Sequence, residues 1–337
     1  MTSLRHLPIL MAIMSALALL TSCEQSDFSD DGRPPIAFFA DGVTFDGGPF
    51  LDYKCPNRAY SIQPSCFEVI GNKWYALEYT SFVGGTDVNL VVNGEQKATV
   101  LSNCSSVQNV VAYQQKGRFK AYIFYFDADD HYHGVHYDDG ELEEIEGLTD
   151  FERILLLRTV KNDVYAVWNM DVTNFYEVGN IVITKNGKPV TQSLSLPAHS
   201  YVLYFRDLYI DGSTIYSFLT LRNQLVEERA YYAKDNTLVK MSGLDDVCYG
   251  QVVGGRVHAL GMVKDGGWQS RYWEGGKTTK ILPESAPVSP RGLQVYGGSV
   301  YYLVTDYSSI PVSVLFKDGV EYTRLEGELF GFKFIGR

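Results

Sequence analysis

A four-residue motif recurs six times along this chain of 337 residues, and it limits the possible folds more than any other feature. The motif begins with an aliphatic or Trp residue, continues with Tyr or His and then a small or aromatic residue, and ends on an apolar one. Its copies are Trp74–Leu77, Ala121–Phe124, Val164–Val167, Ile215–Phe218, Val257–Leu260 and Val300–Leu303, of which the second fits least well. Successive Tyr or His positions are 42 to 51 residues apart. The chain therefore contains an internal repeat of this length.

Turn-forming dipeptides divide each repeat in the same way. One precedes every copy of the motif, and a second follows about twenty residues later. The first set is Gly71-Asn72, Lys116-Gly117, Asn162-Asp163, Asp211-Gly212, Gly254-Gly255 and Gly297-Gly298, and the second is Asn93-Gly94, Asp139-Gly140, Asn186-Gly187, Asp235-Asn236, Gly275-Gly276 and Asp318-Gly319. Such residues tolerate the positive φ of tight hairpins. Because aromatic and β-branched residues flank the turns and no 3.6-residue period is sustained, we expect strands.

Each repeat thus predicts four strands, A to D, and four strands every 40–50 residues are typical of a blade of an all-β propeller. Packing blades around an axis buries both faces of each twisted sheet and protects its edges. Six complete repeats fill roughly 66–325. The segment 35–64, with a hairpin at 39–43, and the strand-like segment 329–334 together make about one more repeat. We predict seven blades, the last shared by both chain ends, with six blades and an N-terminal cap as the alternative.

The N-terminus predicts export and a lipid anchor. Arg5 precedes an apolar run, Leu7–Leu20, and small residues stand just before Cys23. The stretch resembles a bacterial lipobox, which implies cleavage before Cys23 and attachment of diacylglycerol to its thiol; an ordinary secretory signal is the alternative. Residues 1–22 are then a signal peptide, 23–35 a lipidated flexible tether and 36–337 the propeller domain. Acidic residues after Cys23 resemble the export signal of Bacteroidetes-type surface lipoproteins. This implies an outer-membrane protein exposed at the cell surface, with the periplasmic face as the alternative.

The net charge limits the kinds of partner that the protein is expected to bind, and the cysteines limit the disulfides that it can form. The formal net charge is −11 and becomes −12 once residues 1–22 are removed. Such a body repels phosphate backbones, so nucleic acid is not an expected partner, and the lipid must hold the protein on the membrane. An exported protein can form disulfides, and Cys55 with Cys66 is the predicted pair. Cys104 and Cys248 are equally compatible with buried thiols. No Cys-x-x-Cys redox or zinc motif occurs.

The densest polar cluster lies at 127–139, which contains three of the six histidines. His131 and His133 project to the same side of a strand and, with Asp127 or Asp129, suit a divalent metal. The spacing matches no EF-hand or known zinc motif, and a solvated B–C loop explains the cluster equally well. Otherwise no cofactor is expected. The carboxylates that follow, Glu141 to Glu146, fit an outer strand whose charges discourage edge pairing.

Aromatic residues in the B–C loops suggest a ligand-binding face. B–C and D–A loops emerge on one face of a propeller, where ligands usually meet the central funnel. The candidate ligand-binding residues are Phe82, Tyr132, Tyr176, Trp268 and Tyr307. No sialidase-type Ser-x-Asp box and no Gly-x-Ser-x-Gly elbow are present, so no catalytic residue is assigned. The sequence favours a non-enzymatic lipoprotein that binds a glycan or a protein. The alternatives are a propeller carbohydrate enzyme, hydrolase or lyase, and a structural subunit of an outer-membrane complex.

Overall fold

Seven four-stranded antiparallel sheets make up the protein in the computed structural model. The structure describes residues 34–335 except 48, 56–61, 83–84, 150, 171–179, 191–195, 266 and 282–287. The predictions for Cys23, for the signal peptide and tether up to residue 33, and for Tyr176 lie outside this part of the chain. Among the described residues, none belongs to a helix long and apolar enough to span a membrane. The chain is an all-β seven-bladed propeller, as predicted.

Both chain ends build the closing blade. Its strands, from the axis outward, are β28 (Gly331–Phe334), β1 (Ile36–Phe39), β2 (Gly42–Asp46) and β3 (Tyr53–Lys54). The C-terminal strand β28 pairs antiparallel with the N-terminal strand β1, so that Ile36 lies opposite Phe334 and Phe39 opposite Gly331. The predicted shared seventh blade is confirmed, and the six-blade alternative is wrong. Hydrogen bonds between the two ends therefore close the ring.

The other six blades follow in chain order, and a short 3-10 turn, Pro64–Cys66, leads into the first. The first three contain β4 (Phe67–Ile70), β5 (Lys73–Phe82), β6 (Gly85–Val92), β7 (Glu95–Cys104); β8 (Ser106–Gln115), β9 (Arg118–Phe126), β10 (Tyr132–Asp138), β11 (Glu141–Glu144); and β12 (Arg153–Val160), β13 (Asp163–Met170), β14 (Asn180–Lys185), β15 (Lys188–Pro189). The motif copies lie on the second strand of each blade, as the repeat predicts.

The fourth to sixth blades have the same antiparallel order. They contain β16 (Ser200–Asp211), β17 (Thr214–Asn223), β18 (Glu228–Lys234), β19 (Thr237–Lys240); β20 (Asp246–Val253), β21 (Arg256–Lys264), β22 (Trp268–Glu274), β23 (Lys277–Lys280); and β24 (Val288–Tyr296), β25 (Ser299–Asp306), β26 (Val312–Lys317), β27 (Val320–Glu326). From the first blade round to the closing blade, each inner strand contacts the next, in the order β4, β8, β12, β16, β20, β24 and β28, so these strands surround the axis. The outer strand β11 is exposed throughout, as expected for its edge glutamates.

The described core consists of seven apolar clusters, one at each junction between neighbouring blades. Strand β8 shows how the sequence produces them. Val110 and Ala112 pack toward the first blade, whereas Val111 and Tyr113 pack toward the third. Successive side chains of a strand point to opposite faces, and here both faces are buried. Near-continuous apolar runs in the inner strands therefore hold the ring together.

Most of the predicted hairpin turns have the backbone that their residues favour. Asn93-Gly94, Lys116-Gly117 and Asp318-Gly319 have positive φ at both positions, as type I′ turns require. Two first-set turns lie one residue from the predicted dipeptide, at 161–162 and 212–213. In the first of these, Lys161 has φ 58°. The strand pairing determines where each of these turns lies. A shift of one residue in the turn still allows the flanking strands to be predicted from the sequence.

The predicted disulfide is wrong, because Cys55 and Cys66 are both free thiols in the structure. Cys55 packs between the closing and first blades, and Cys66 packs between the first and second. The Cys66 thiol contacts the Tyr79 hydroxyl at 3.2 Å and the Val110 carbonyl at 3.6 Å. The two thiols thus face opposite sides of the first blade, and a bond between them would require one to leave its cluster. Burial raises the pKa of Cys55 to about 12 and also raises that of Cys66.

Candidate functional site

A cavity of about 470 Å³ lies on the axis, between the first strands of the blades. Its walls come from the third to sixth blades, from the closing strand β28 and from the turn before β4. Charged and polar side chains of these strands line it, among them Arg158, Arg206, Asp207, Tyr249, Arg291 and Lys333. A space of this size is typical of sites for small ligands. The cavity is therefore the main candidate site among the described residues.

A β-bulge recurs at one position of the first strand in five blades and shapes the cavity wall. The unpaired residues are Gln108, Leu155, Arg206, Cys248 and Arg291. In each case the next residue pairs with the residue two positions after the motif Tyr or His, so the bulge belongs to the repeat. A bulge redirects a side chain that regular pairing would place on a buried face. It brings the Arg206 and Arg291 side chains to the cavity.

Ion pairs link the cavity cations to acids on the neighbouring blade. Nη2 of Arg158 is 2.6 Å from Oδ1 of Asp207 in the next blade, and Nη2 of Arg206 is 2.8 Å from Oδ2 of Asp246 in the blade after that. Lys333 of β28 pairs at 2.8 Å with Glu68 of the first blade and donates to the Phe67 carbonyl at 2.8 Å. These contacts repeat the same arrangement around the ring, a cation facing the axis and an acid on the adjoining blade.

Two of the acids are held behind the cations by further hydrogen bonds. The Asp207 side chain is 2% exposed, and it accepts the backbone N–H of Leu208 at 2.8 Å and that of Gly250 at 3.1 Å. Asp246 is 4% exposed and accepts the Thr220 hydroxyl at 2.5 Å. Arg158 and Arg206 are 40% and 31% exposed. In these two ion pairs the guanidinium group is therefore the partner that a ligand can reach more easily.

Arg206 is positioned by an aromatic ring as well as by its acid. Its guanidinium carbon lies 3.9 Å from the centre of the Tyr204 ring, which is 38% exposed. Such stacking orients the planar group and contributes about 0.5–1 kcal/mol at exposed sites. The Nε–H of Arg206 is buried and has no acceptor. Arg206 therefore has a fixed orientation and one buried donor without an acceptor in the structure.

Arg291 occupies the matching position in the sixth blade. It donates to the Tyr307 hydroxyl and to Glu328, and Tyr307 donates to the same carboxylate oxygen at 2.6 Å. Glu328 precedes β28, so this cluster spans the junction between the sixth and closing blades. The Nε–H of Arg291 is also buried without an acceptor. Arg206 and Arg291 thus each have one unused buried donor.

Tyr249 and Cys248 lie between the two arginines in the sequence of blades, on β20. Burial raises the pKa of the Tyr249 hydroxyl to about 12, and the charges of Arg291 and Arg206 oppose part of this rise. Burial and the Asp246 carboxylate raise the pKa of Cys248 to about 12. Both groups are protonated at neutral pH. Tyr249, which lines the cavity, can donate to a ligand or pack against it. Both groups are poor nucleophiles or bases.

Comparison with known proteins identifies the fold and no family. No protein-family model and no curated protein matches the chain. A puromycin-hydrolysing peptidase of Mycobacterium tuberculosis is similar in structure, with a TM-score of 0.50 and 9% identity over 76% of this chain and 45% of that one. The propeller domain of the Trilobed protease from Pyrococcus furiosus has a TM-score of 0.46 and 14% identity over 85% of this chain and 97% of that domain. This chain thus spans less than half of the peptidase, and likeness at such identity shows the propeller alone.

The aromatic residues predicted to bind a ligand, where the structure describes them, lie in different environments. The Tyr132 hydroxyl donates to the Glu152 carbonyl at 2.6 Å, and its ring packs against Phe126 and Phe151. Trp268 begins β22 and is 41% exposed. Tyr307 contacts the cavity residue Arg291. Phe82 ends β5, and its side chain, like Tyr176, lies outside the described part. A ligand-binding role for these five remains a prediction, with the strongest structural support at Tyr307.

The B–C loops of the fourth to sixth blades carry exposed apolar side chains. The largest are Leu225 and Val226 in the fourth blade and Ile310 in the sixth, with Trp268 between them in the fifth. B–C loops emerge on the same face of a propeller as the D–A connections, so these side chains lie on one face of the protein. Exposed apolar groups of this kind are common where proteins contact a partner.

The predicted metal ligands are partly brought together. Asp127, Asp129 and His131 place one ligand atom each within 4.8 Å of one another. His133 is 3.0 Å from Asp127 and 3.3 Å from Glu144, so its ring nitrogens face carboxylates. Asp127 also accepts the backbone N–H groups of Asp129 and His131, both at 2.9 Å. These hydrogen bonds explain the cluster as a set of polar groups that hold the loop together. A divalent metal at this position remains a prediction.

The cavity cations are not among the residues predicted from the sequence. Arg158 and Arg206 stand in first strands that are mostly apolar and that pack between neighbouring blades. A charged residue in such a strand has to reach the axis or an ion-pair partner, because burying it alone costs several kcal/mol. That exception in β12 and β16 is the signal that points to the cavity.

Proposed function

We propose that the protein is a non-enzymatic, lipid-anchored binding protein whose axial cavity receives a ligand, with a glycan as the leading class. The observation that carries the proposal is the cavity wall of oriented, partly exposed Arg and Lys side chains, each paired with an acid, two of which are buried. Fixed donors on rigid strands suit recognition because little side-chain freedom is lost on binding. The exposed aromatic residues Tyr204 and Trp268 add apolar surfaces that suit sugar rings.

A propeller glycosidase or lyase is less well supported. Glycoside hydrolysis uses two carboxyl groups about 5–9.5 Å apart, one of them available as an acid or base. Asp207 is the one acid among the described residues that line the cavity, and its oxygens are engaged by Arg158, Leu208 and Gly250. The nearby thiol and phenol are held protonated. Among the described lining residues, this arrangement supplies donors, and the Asp207 carboxylate is already engaged.

The cavity also favours a small ligand, or the end of a chain, over a folded protein partner. A stable protein interface buries about 800 Å² on each side, whereas a concave space of about 470 Å³ suits a ligand of a few sugar units. The exposed Leu225, Val226 and Ile310 favour contact with a protein at the loops of the fourth and sixth blades. A structural role in an outer-membrane complex is therefore the alternative.

Glycan binding is tested with the full chain purified in detergent and applied to a broad glycan array. We expect binding to a restricted set of glycans and no release of reducing ends from those glycans during prolonged incubation. A variant with the cavity cation replaced, Arg206→Gln, should lose most of the signal. Absence of binding to any glycan would contradict the proposal, and turnover of a bound glycan would favour the enzyme alternative.

Membrane attachment is a separate part of the proposal and rests on the sequence around Cys23. We expect the protein to fractionate with the outer membrane and to incorporate labelled palmitate. Cys23→Ala should abolish the label, because the thiol that carries the lipid is absent. The protein should then remain unprocessed or be released from the membrane. Cys104→Ala is the matched control, because it removes a thiol from the folded domain and should leave the label unchanged. Labelling that survives Cys23→Ala would refute the anchor.

A further inference from the structure

We propose that the ligand of the axial cavity is an acidic glycan, whose carboxylate or sulfate oxygens are bound by Arg206 and Arg291. The inference rests on the proposed function, which places a glycan in this cavity, and it specifies the chemical class of that glycan. Guanidinium groups present planar N–H donors that match oxyanions better than they match neutral hydroxyl groups.

The first support is the pair of unused donors. Nε–H of Arg206 and Nε–H of Arg291 are buried and lack acceptors in the structure, although each guanidinium already bonds to an acid through Nη2. Buried donors without partners are rare in folded proteins and call for an acceptor. Both belong to bulge residues at the same position of the repeat, so the same local geometry directs them.

The second support is the separation of charge across the wall. Arg158, Arg206, Arg291 and Lys333 reach the cavity, while Asp207 and Asp246 are almost fully buried behind two of them. At Arg158 and Arg206 an incoming anion would therefore meet N–H groups before carboxylates, whereas at Arg291, 23% exposed, it would also meet Glu328, 38% exposed. Lys333 adds a fourth cation, 30% exposed, across the ring from Arg206 in blade order.

The third support is the contrast with the rest of the molecule. The chain carries a net charge of −11, so its outer surface gives no general attraction for anions. Binding of an acidic glycan would then depend on the few oriented cations of the cavity. A neutral glycan would leave the two Nε–H groups without a charged acceptor and would be bound more weakly.

The experiment compares three oligosaccharides of equal length by calorimetry. They are an oligogalacturonate, which carries carboxylates, a sulfated oligogalactan and a neutral oligogalactan. Proteins are the full wild-type chain, Arg206→Gln, Arg291→Gln, Arg206→Lys and Arg324→Gln. Arg324 is the matched control because it also pairs with an acid, Glu321 at 2.8 Å, but lies on the outer strand β27. Thermal unfolding of each variant confirms that it is folded.

We expect at least one acidic oligosaccharide to bind wild type about tenfold or more tightly than the neutral one. Arg206→Gln and Arg291→Gln should each lower the affinity for that acidic oligosaccharide about tenfold. Arg206→Lys should lower this affinity less, and Arg324→Gln should lower it by less than twofold. The carboxylate and sulfate arms show which oxyanion is preferred. If the neutral oligosaccharide binds as tightly as both acidic ones, the inference is overturned while the proposed function stands.

Two further results also decide the question. If none of the three binds and the broad array is also silent, the proposed function itself fails. An acidic oligosaccharide could also bind while Arg324→Gln lowers its affinity as much as Arg206→Gln does. The attraction of the anion would then not be specific to the cavity, and the assignment of binding to Arg206 and Arg291 would be overturned.

Discussion

A chain that ends after Glu328 is expected to lose its cooperative unfolding transition, because it lacks the strand that closes the ring. The deletion removes β28 and with it four buried side chains, Leu329, Phe332, Phe334 and Ile335. Burying one such side chain contributes about 1.5–3 kcal/mol, or about 6–12 kcal/mol for four. Domains are typically stable by only about 5–15 kcal/mol. The loss is therefore comparable with the whole free energy of unfolding.

The backbone contacts of the closing strand add to this effect. Phe330 donates its N–H to the Phe39 carbonyl at 2.7 Å, and Ile335 donates to the Pro35 carbonyl at 3.0 Å. Without them β1 becomes an open edge that is apolar on both faces, since Ile36 to Phe39 are all buried in the intact protein. Such an edge promotes association between chains. We expect the shortened protein to aggregate as well as to unfold.

Urea unfolding followed by tryptophan fluorescence measures the effect, with a chain ending after Ile335 as the control. The control keeps every described residue of the closing blade and should unfold at the wild-type midpoint. A peptide covering residues 329–335, added to the shortened chain, should restore part of the transition if the strand acts through docking. A shortened chain with the wild-type midpoint would show that the ring does not depend on this closure.

The repeat in the sequence was sufficient to predict the blades, because both the motif and the turns are local features. Tyr216 and His258, for example, mark the second strands of their blades, and Asn186-Gly187 marks a tight hairpin between outer strands. The closing blade followed from counting strands at the two ends. The disulfide prediction failed because closeness in sequence does not tell which face of a blade each thiol occupies.

The residues of the cavity could not be predicted from the sequence for a similar reason. Arg206 and Asp246 are 40 residues apart and meet only because neighbouring repeats lie side by side around the axis. The bulge that turns Arg206 toward the axis has no Gly or Pro beside it, whereas the bulge at Arg291 lies between Pro290 and Gly292. Aromatic residues in loops are visible to sequence reasoning, whereas the register of one strand against another is set by packing. Among the predicted residues that the structure describes, Tyr307 is the link to the cavity.

Replacement of Gly250 by Ala is expected to destabilise the protein by about 1–3 kcal/mol or more, the usual effect of overpacking a core. A Cβ atom at this position would lie 2.2 Å from Cδ1 and from Cε1 of the Phe218 ring. Phe218 is fully buried between the fourth and fifth blades, so its ring has no space to withdraw. The Gly250 backbone is also held, since its N–H donates to Asp207 at 3.1 Å.

The control for a general effect of Gly→Ala is Gly212→Ala. Gly212 has φ 61°, but a Cβ atom added there would have nothing within 4 Å, so its replacement costs only backbone strain. That strain amounts to about 1 kcal/mol. Chemical denaturation of both variants compares the two causes directly. A free energy of unfolding for Gly250→Ala within about 0.5 kcal/mol of wild type would contradict a close packing of these blades.

The double variant Gly250→Ala with Phe218→Leu separates the clash from other effects of the glycine. Phe218→Leu alone should be destabilising, because it leaves space in a close-packed cluster. The methyl group that Gly250→Ala adds partly fills that space, so the double variant should be more stable than the sum of the single effects predicts. Because Gly250 also holds Asp207 behind Arg158, the same variants should alter ligand affinity at the cavity. A destabilised but fully binding Gly250→Ala would then show that blade packing and the orientation of the cavity cations are independent.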